Sequence, residues 1–255
     1  MPLAVGRWLP LSWPRRFIAD LLHFAQQVPA ATVERRMRLA PLVDARQACR
    51  SRPSWSILFA RAFALVAARR PELRRSYQQF PWPHLYEHPQ SVASITVERV
   101  LDGEEIPVVG HLTAPETQSL HKLNTSLQQL RSCPLDKIAS FRRGKRFMRL
   151  PWPVRRLIWW AMLNAHGASR ARFFGTFVVT SPAAHGAGVS YMQSPTTCSL
   201  HYGLFEATGS LDVRLTFDHR VFDGGPAARA LTDLENVLLN QVVTEVRGIG
   251  GAQAA

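Results

Sequence analysis

The spacing of apolar residues predicts alternating helices and strands along the chain. Residues 14–27 place Ile18, Leu21 and Leu22 on one face, which is typical of an amphipathic helix. Residues 53–72 are apolar on nearly every side, which predicts a helix buried in the core. The segment between these two helices begins with a strand-like stretch and then turns helical.

The remainder of the chain continues the alternation. Leu211, Val213, Leu215 and Phe217 alternate with polar residues, which predicts a half-buried strand. Further strands are predicted at residues 91–100, 106–113, 173–181 and 196–206, and helices at 115–131 and 225–240. This order predicts an α/β protein of the α+β two-layer sandwich type. We find no linker and no repeat, so we expect residues 1–255 to form a single domain.

The strongest signal in the composition is charge. The chain has 31 Lys and Arg against 18 Asp and Glu, a formal net charge of +13. Such an excess favours an anionic partner, for which nucleic acid, a membrane surface, an acidic protein and a phosphorylated cofactor all qualify. No nucleic-acid-binding fold is recognisable in the pattern, so we expect no nucleic acid.

Cysteine usage and the N-terminus bear on the compartment. The three cysteines, Cys49, Cys133 and Cys198, have no metal-ligand spacing and suit a reducing compartment. The first residues lack the apolar region and cleavage site of a signal peptide, and we find no run of 18 uncharged apolar residues. These observations predict a cytoplasmic protein.

Candidate chemistry is concentrated at residues 215–225, LTFDHRVFDGG. A strand-like run ends there in Asp-His-Arg, with Asp223 four residues after His219 and two glycines behind it. Asp and Gly are common in turns, so a structural turn explains the pattern. A histidine at the end of a strand is also suited to act as a base, because neutral imidazole accepts protons near pH 7.

The motif resembles the Asp-His-Arg-Val-x-Asp-Gly signature of the dihydrolipoamide acyltransferase catalytic domain, the core of 2-oxo acid dehydrogenase complexes. Upstream, GTFVVT resembles the Gly-Thr-Phe-Thr-Ile-Ser strand of the same family. The resemblance covers residues 14–240 and implies the chloramphenicol acetyltransferase-like fold, a mixed sheet covered by helices. Because it begins near residue 14, we expect a free-standing form without a lipoyl domain.

The resemblance assigns roles to the residues of the site. His219 matches the general base, and Thr180 matches the hydroxyl that stabilises the oxyanion. Ser181 takes that role if the alignment shifts by one residue. Asp223 matches a structural carboxylate that pairs with an arginine, for which the candidates are Arg15 and Arg16. Gly224 and the following glycine are expected to let the backbone turn into the last helix.

The implied activity is acyl transfer from a thioester to a thiol, hydroxyl or amine. The thioester is carried by coenzyme A or by the phosphopantetheine or lipoyl group of a carrier protein. The resemblance also implies a homotrimer, in which His219 of one chain and Thr180 of the next build each site. The alternative is a non-catalytic trimeric scaffold, or a protein like the core of a 2-oxo acid dehydrogenase complex.

Residues 142–170 depart from the family pattern as a basic, tryptophan-rich insertion. Seven basic residues lie between Arg142 and Arg156. The segment could dock an acidic carrier protein, bind coenzyme A phosphates or lie on a membrane surface. A solvated basic face explains it equally well, and membrane contact ranks below carrier docking. The docking candidates are Arg142, Arg143, Lys145 and Arg146.

Other histidines have mainly structural interpretations. His201 lies on a strand leading towards the site, where it could line the acceptor channel or serve as a hydrogen-bonded core residue. His84 and His88 have a spacing that suits a metal only on a helix, and the neighbouring prolines argue against a helix. We therefore expect no metal.

Overall fold

The computed structural model describes residues 6–188 and 191–252. Its strands, in chain order, are β1 (Ala30–Arg38), β2 (Arg75–Gln78), β3 (His84–Glu87), β4 (Val92–Leu101), β5 (Glu104–Thr113), β6 (Phe177–Thr180), β7 (Cys198–Tyr202) and β8 (Ser210–Asp218). Six of them form one mixed sheet in the order β1-β8-β7-β6-β4-β5. Strands β4, β6 and β7 run parallel, and the other pairs are antiparallel.

The helices cover this sheet. They are α1 (Trp13–Ala25), α2 (Ala40–Ala48), α3 (Trp55–Arg69), α4 (Leu120–Ser132), α5 (Ala139–Phe147), α6 (Trp152–Asn164), α7 (Gly167–Phe174), α8 (Gly224–Val237) and α9 (Val243–Ala252). The predicted α/β class, with helices over a mixed sheet, is confirmed. None of the helices in residues 6–188 and 191–252 is long and apolar enough to cross a membrane.

The apolar pattern explains the main elements. Helix α3 is buried along most of its length, as its lack of a polar face predicts, and it packs against α8 and the sheet. Helix α1 begins where the Ser12 hydroxyl accepts the backbone N–H of Arg15 at 3.3 Å, with Pro14 in its first turn. Beyond α8, the chain continues through a π-helical turn into α9, so the last helical segment is longer than the sequence predicts.

The two faces of the sheet differ in polarity. Phe177, Val179 and Leu215 belong to the main core beneath the helices. Because side chains alternate along a strand, Thr180 and Thr216 lie on the opposite face. That face carries a hydrogen bond between the hydroxyls of Thr32 and Thr216 at 3.0 Å. The sheet therefore separates an apolar layer from a polar layer, and the candidate residues at its strand ends are on or beside the polar layer.

The insertion forms helices α5 and α6 and the start of α7, and it has a small core of its own. Phe24 of α1 packs there with Trp159, Leu163 and Phe174. Phe24 and Trp159 are stacked with ring centroids 5.9 Å apart. The insertion is therefore a packed helical layer against α1.

A buried ion pair fastens this layer to α1. The Asp20 carboxylate accepts a hydrogen bond from Arg155 Nε at 2.9 Å, and its second oxygen lies 3.3 Å from Arg156 Nε. The side chains of Asp20 and Arg155 are only 4% and 8% exposed. Two of the seven basic residues between Arg142 and Arg156 are thus used internally.

The sequence pattern missed a short ribbon. Strands β2 and β3 pair antiparallel, with Ser76 opposite Tyr86. The prolines between them suggested only a loop, and the four-residue strands are too short for alternation to be distinctive.

Removing the Asp20 carboxylate should destabilise the protein strongly. Asp20→Ala leaves Arg155 buried without its anion, so we expect the free energy of unfolding to fall by about 3–5 kcal/mol. Urea denaturation followed by tryptophan fluorescence measures this change. The matched control is Glu87→Ala, which breaks the exposed ion pair with Arg75 and should cost at most about 1 kcal/mol. Equal losses in the two variants would contradict a stabilising role for the buried Asp20–Arg155 ion pair.

Candidate active site

The end of β8 is fixed by a buried carboxylate. The side chain of Asp218 is fully buried, and its two oxygens accept hydrogen bonds from Arg220 Nε at 2.9 Å and Arg220 Nη2 at 2.7 Å. The Arg220 backbone N–H donates to the same carboxylate at 3.0 Å. The guanidinium also lies over the Tyr77 ring, 4.3 Å from its centroid. The residue between Asp218 and Arg220 is therefore held in a fixed turn.

His219 is that residue. Its backbone N–H donates to the Pro29 carbonyl at 3.0 Å, and its ring Nδ1 lies 3.1 Å from Asp223 Oδ1. Because a carboxylate only accepts hydrogen bonds, this contact favours the tautomer in which Nδ1 carries the proton. The His219 side chain is 54% exposed, so the ring is accessible from outside this chain.

The prediction that Arg15 or Arg16 pairs with Asp223 is wrong within the chain. Neither Arg15 nor Arg16 forms an ion pair with Asp223 in the described residues; Arg15 Nε instead donates to Glu104 at 2.7 Å. The Asp223 side chain is 79% exposed, and its Oδ1 lies 3.1 Å from His219 Nδ1, so the carboxylate faces the imidazole and not an arginine. The buried pair of this loop is Asp218–Arg220, whose signal in the sequence is the Asp-x-Arg spacing.

The predicted role of Gly224 is also corrected. Gly224 is the first residue of α8, and Asp223 is its N-cap. The backbone of Gly224 is not in the left-handed region, and a Cβ there would meet no atom within 4 Å. The turn into α8 therefore does not require glycine at this position.

Thr180 is the last residue of β6. In the sheet register it lies beside His201 of β7, which in turn lies opposite Arg214 of β8. His219 lies five residues beyond Arg214, which is about 16 Å along the strand. Two further strand spacings add about 10 Å across the sheet. Within one chain, Thr180 and His219 are therefore well separated and do not form a common site.

Ser181, the alternative to Thr180, has its hydroxyl engaged locally. Its Oγ donates to the Tyr202 carbonyl at 2.6 Å and accepts the Ala183 N–H at 3.1 Å. Both hydrogen bonds hold the turn after β6. This geometry favours Thr180 as the candidate hydroxyl.

His201 is completely buried next to Thr180. Burial, with a smaller contribution from the positive charge of Arg214, lowers its pKa to about 4. The ring is therefore neutral at pH 7. Its register position makes it a wall of the polar layer at Thr180, which agrees with either sequence interpretation of this residue.

The docking candidates of α5 are all at the surface. Arg142, Arg143, Lys145 and Arg146 are exposed, and Arg143 lies over the Phe173 ring at 5.5 Å from its centroid. The insertion thus presents a basic face, which the apolar core behind it positions.

The histidines of the ribbon have structural partners. His84 Nδ1 lies 2.6 Å from the Trp82 carbonyl, and the buried His88 hydrogen-bonds Ser76 Oγ through Nε2 at 3.1 Å. Burial and the nearby Arg170 and Arg74 lower the pKa of His88 to about 4. Across residues 6–188 and 191–252, no group of three or more His, Cys, Asp or Glu has an arrangement suited to a metal.

Comparison with known proteins adds to this geometry. The sequence matches no family model and none of the curated proteins. Among solved structures, a probable dihydrolipoamide acetyltransferase from Listeria monocytogenes is 18% identical, with a TM-score of 0.66 over 93% of this chain and 95% of the other. The dihydrolipoamide acetyltransferase of Azotobacter vinelandii is also 18% identical, with a TM-score of 0.66 over 94% of this chain and 97% of the other. A chloramphenicol acetyltransferase is 13% identical, with a TM-score of 0.50 over 87% and 94%.

The chain has the fold of the dihydrolipoamide acetyltransferase catalytic core. Chloramphenicol acetyltransferase shares this fold, as the resemblance of DHRVFDGG and GTFVVT implied. The similarity extends over nearly the full length of each chain.

The buried histidines predict a loss of stability on acidification. His88, His111 and His201 have folded-state pKa values of about 4, below the ordinary value of 6.5. The unfolded chain therefore binds protons first, and stability falls as the pH drops from about 6.5 towards 4. We expect His201→Gln to reduce the slope of unfolding free energy against pH by about 1.4 kcal/mol per unit in this window. Denaturant titrations at several pH values measure it, and an unchanged slope would contradict a buried neutral His201.

Proposed function

We propose that this protein transfers an acyl group from a thioester to a thiol, hydroxyl or amine, with His219 as general base. The observation that carries the proposal is the 3.1 Å contact between His219 Nδ1 and Asp223 Oδ1. It favours the tautomer in which Nε2 is basic, on an exposed ring that the Asp218–Arg220 pair holds in place.

The chemistry follows from this arrangement. His219 Nε2 takes the proton of the acceptor as its oxygen, nitrogen or sulfur attacks the thioester carbonyl. The carbonyl oxygen becomes an oxyanion, which a hydroxyl donor stabilises. When the tetrahedral intermediate collapses, the carbon–sulfur bond breaks and the protonated His219 returns the proton to the leaving thiolate.

We propose that Thr180 of a neighbouring chain supplies the hydroxyl. Thr180 and His219 of one chain are too far apart in the sheet register to act together, so the pair requires a second copy. A homotrimer with three equivalent interfaces satisfies this requirement. A solved structure of similar fold is the catalytic core of the 2-oxoacid dehydrogenase multienzyme complex from Thermoplasma acidophilum. It is 19% identical, with a TM-score of 0.64 over 92% of this chain and 99% of the other.

The Azotobacter vinelandii enzyme offers a parallel for the residue types. Work on its catalytic mechanism concerned a serine, a histidine and an asparagine four residues after the histidine. Asp223 has the same spacing from His219, and Thr180 carries a hydroxyl as serine does. The parallel supports the assignment of these three positions.

The surface charge of α5 bears on which thioester donor the protein uses. The exposed basic face of α5 suits an acidic carrier protein whose thioester is held on phosphopantetheine or a lipoyl group. Coenzyme A is the alternative carrier of the same thioester. We propose that the reaction takes place in the cytoplasm, and neither carrier requires a metal.

Substitution of His219 should remove most of the activity. We expect His219→Ala to lower turnover by about 10²–10⁴-fold through loss of the base. Thr180→Ala should lower it by about 10²-fold or more through loss of the oxyanion donor. Ser181→Ala is the matched control and should act mainly on stability, because its hydroxyl holds a local turn. Acyl-CoA turnover measures these effects. Full activity in His219→Ala would contradict the proposal, and no activity in the wild type would favour the scaffold alternative.

Mixing the two inactive variants tests the shared site. In randomly assembled trimers of His219→Ala and Thr180→Ala chains, one interface in four combines an intact His219 with an intact Thr180, so about a quarter of wild-type activity should return. The variants are denatured and refolded together, with separately refolded chains as the control. No recovery in trimers confirmed by light scattering would contradict the shared site.

Charge reversal distinguishes the two donors. We expect Glu at positions 142, 145 and 146, in place of Arg142, Lys145 and Arg146, to raise KM for an acidic acyl-carrier-protein donor. KM for acyl-CoA should change little, because a surface patch is read by a protein and not by a small cofactor. The loss with the carrier should shrink at high salt, since exposed charges are screened. Equal effects on both donors would contradict carrier docking.

A further inference from the structure

A cavity of about 330 Å³ lies at the edge of the sheet, away from His219. It is enclosed by edge strand β5, by helix α4 and by the segment that enters α5. Its size is within the range of small-molecule sites. Strands β4 and β5 contribute Ile95, Gly110, His111 and Leu112. Helix α4 and the residue after it contribute Ser126, Leu127, Gln129, Leu130 and Cys133. The remaining wall is Lys137, Ile138, Ala139, Ser140 and Arg143.

One wall of this cavity is apolar. Leu127 is buried in the main core, and Leu130 packs against it. Gly110 of β5 lets Leu130 approach the strand, because a Cβ at Gly110 would lie 2.6 Å from Leu130 Cδ2. Leu112 and Ile138 continue the wall. Such a surface favours an aliphatic chain.

The charged side chains of the cavity are all basic. Arg143 and Lys137 line it, and none of the described residues around it is an Asp or Glu. The Phe173 ring lies 5.5 Å from the Arg143 guanidinium and restrains it. A guanidinium presents parallel N–H donors that match the two oxygens of a carboxylate.

His111 forms the polar end of the cavity. Ser94 Oγ donates to the Phe174 carbonyl at 2.7 Å, so its 2.9 Å contact with His111 Nδ1 is accepted from the ring. Burial, and then the charge of Arg143, lower the pKa of His111 to about 4. The ring is therefore neutral, and the positive charge at this end of the cavity is that of Arg143.

We propose that this cavity binds a medium-chain aliphatic carboxylate, with the chain along the leucine wall and the carboxylate on Arg143. The apolar wall of this site lies on the helix-covered face of the sheet, whereas Thr180 lies on the opposite face, so binding there does not require the proposed acyl transfer. Its chemistry is that of a fatty acid, whose single charge and apolar tail match one guanidinium beside one apolar wall.

Decanoate is the probe, and calorimetric titration of the full chain measures its binding. Arg143→Gln should raise the Kd for decanoate about tenfold or more, because a hydrogen bond to a charged group is lost. The matched control is Arg142→Gln, which removes the same charge from an exposed position outside the cavity and should change the Kd less than twofold. Uncharged decanol should bind the wild type more weakly and be indifferent to Arg143→Gln.

Cys133 provides an independent readout of the location. It lines the cavity and is partly exposed, whereas Cys49 and Cys198 are buried. Decanoate should slow the alkylation of Cys133 by iodoacetamide, as measured by mass spectrometry. Ala139→Phe, at the cavity margin, should abolish both binding and protection while leaving every charge in place.

Three results would overturn the proposal. The first is no saturable binding of decanoate to the wild type. The second is equal weakening by Arg143→Gln and Arg142→Gln, which would indicate attraction to the basic surface as a whole. The third is binding that leaves Cys133 alkylation unchanged, which would place decanoate elsewhere.

Discussion

A carboxylate buried at the end of β8 determines the arrangement around it. Asp218 has no exposed surface, and a buried charge is tolerated only when it is paired and hydrogen-bonded. Arg220 closes on it from two residues away, and this turn leaves His219 facing outwards. The buried Arg170 of α7 lies near Asp218 and donates to three backbone carbonyls. Helix α7 and the turn that carries His219 are therefore joined electrostatically.

Burial of the second carboxylate, Asp20, has a parallel effect on the insertion. Arg155 and Arg156 converge on it, and the aromatic cluster around Trp159 forms beside them. The basic content of this segment therefore serves two purposes. Some cations hold α6 against α1, and those of α5 remain at the surface. Charge counted along a sequence does not separate these uses, because pairing depends on residues distant in the chain.

Much of the fold could be predicted from sequence, and the reasons are physical. Alternation in β8 and the all-apolar surface of α3 are strong signals, since each follows directly from burial. The motif at His219 was equally distinctive. The partner of Asp223 could not be predicted, because Arg15, one of the two candidate arginines, forms its ion pair with Glu104. The cavity beside α4 was also beyond prediction, since its walls come from separate elements.

The separation of Thr180 and His219 within one chain has a genetic consequence. In the proposed trimer each subunit contributes to two sites, one through its histidine and one through its threonine. A copy that assembles but lacks both groups would leave a single complete site in its ring. Defective chains expressed beside intact ones would therefore remove more sites than their share of the subunits, because the fraction of complete sites is the square of the intact fraction.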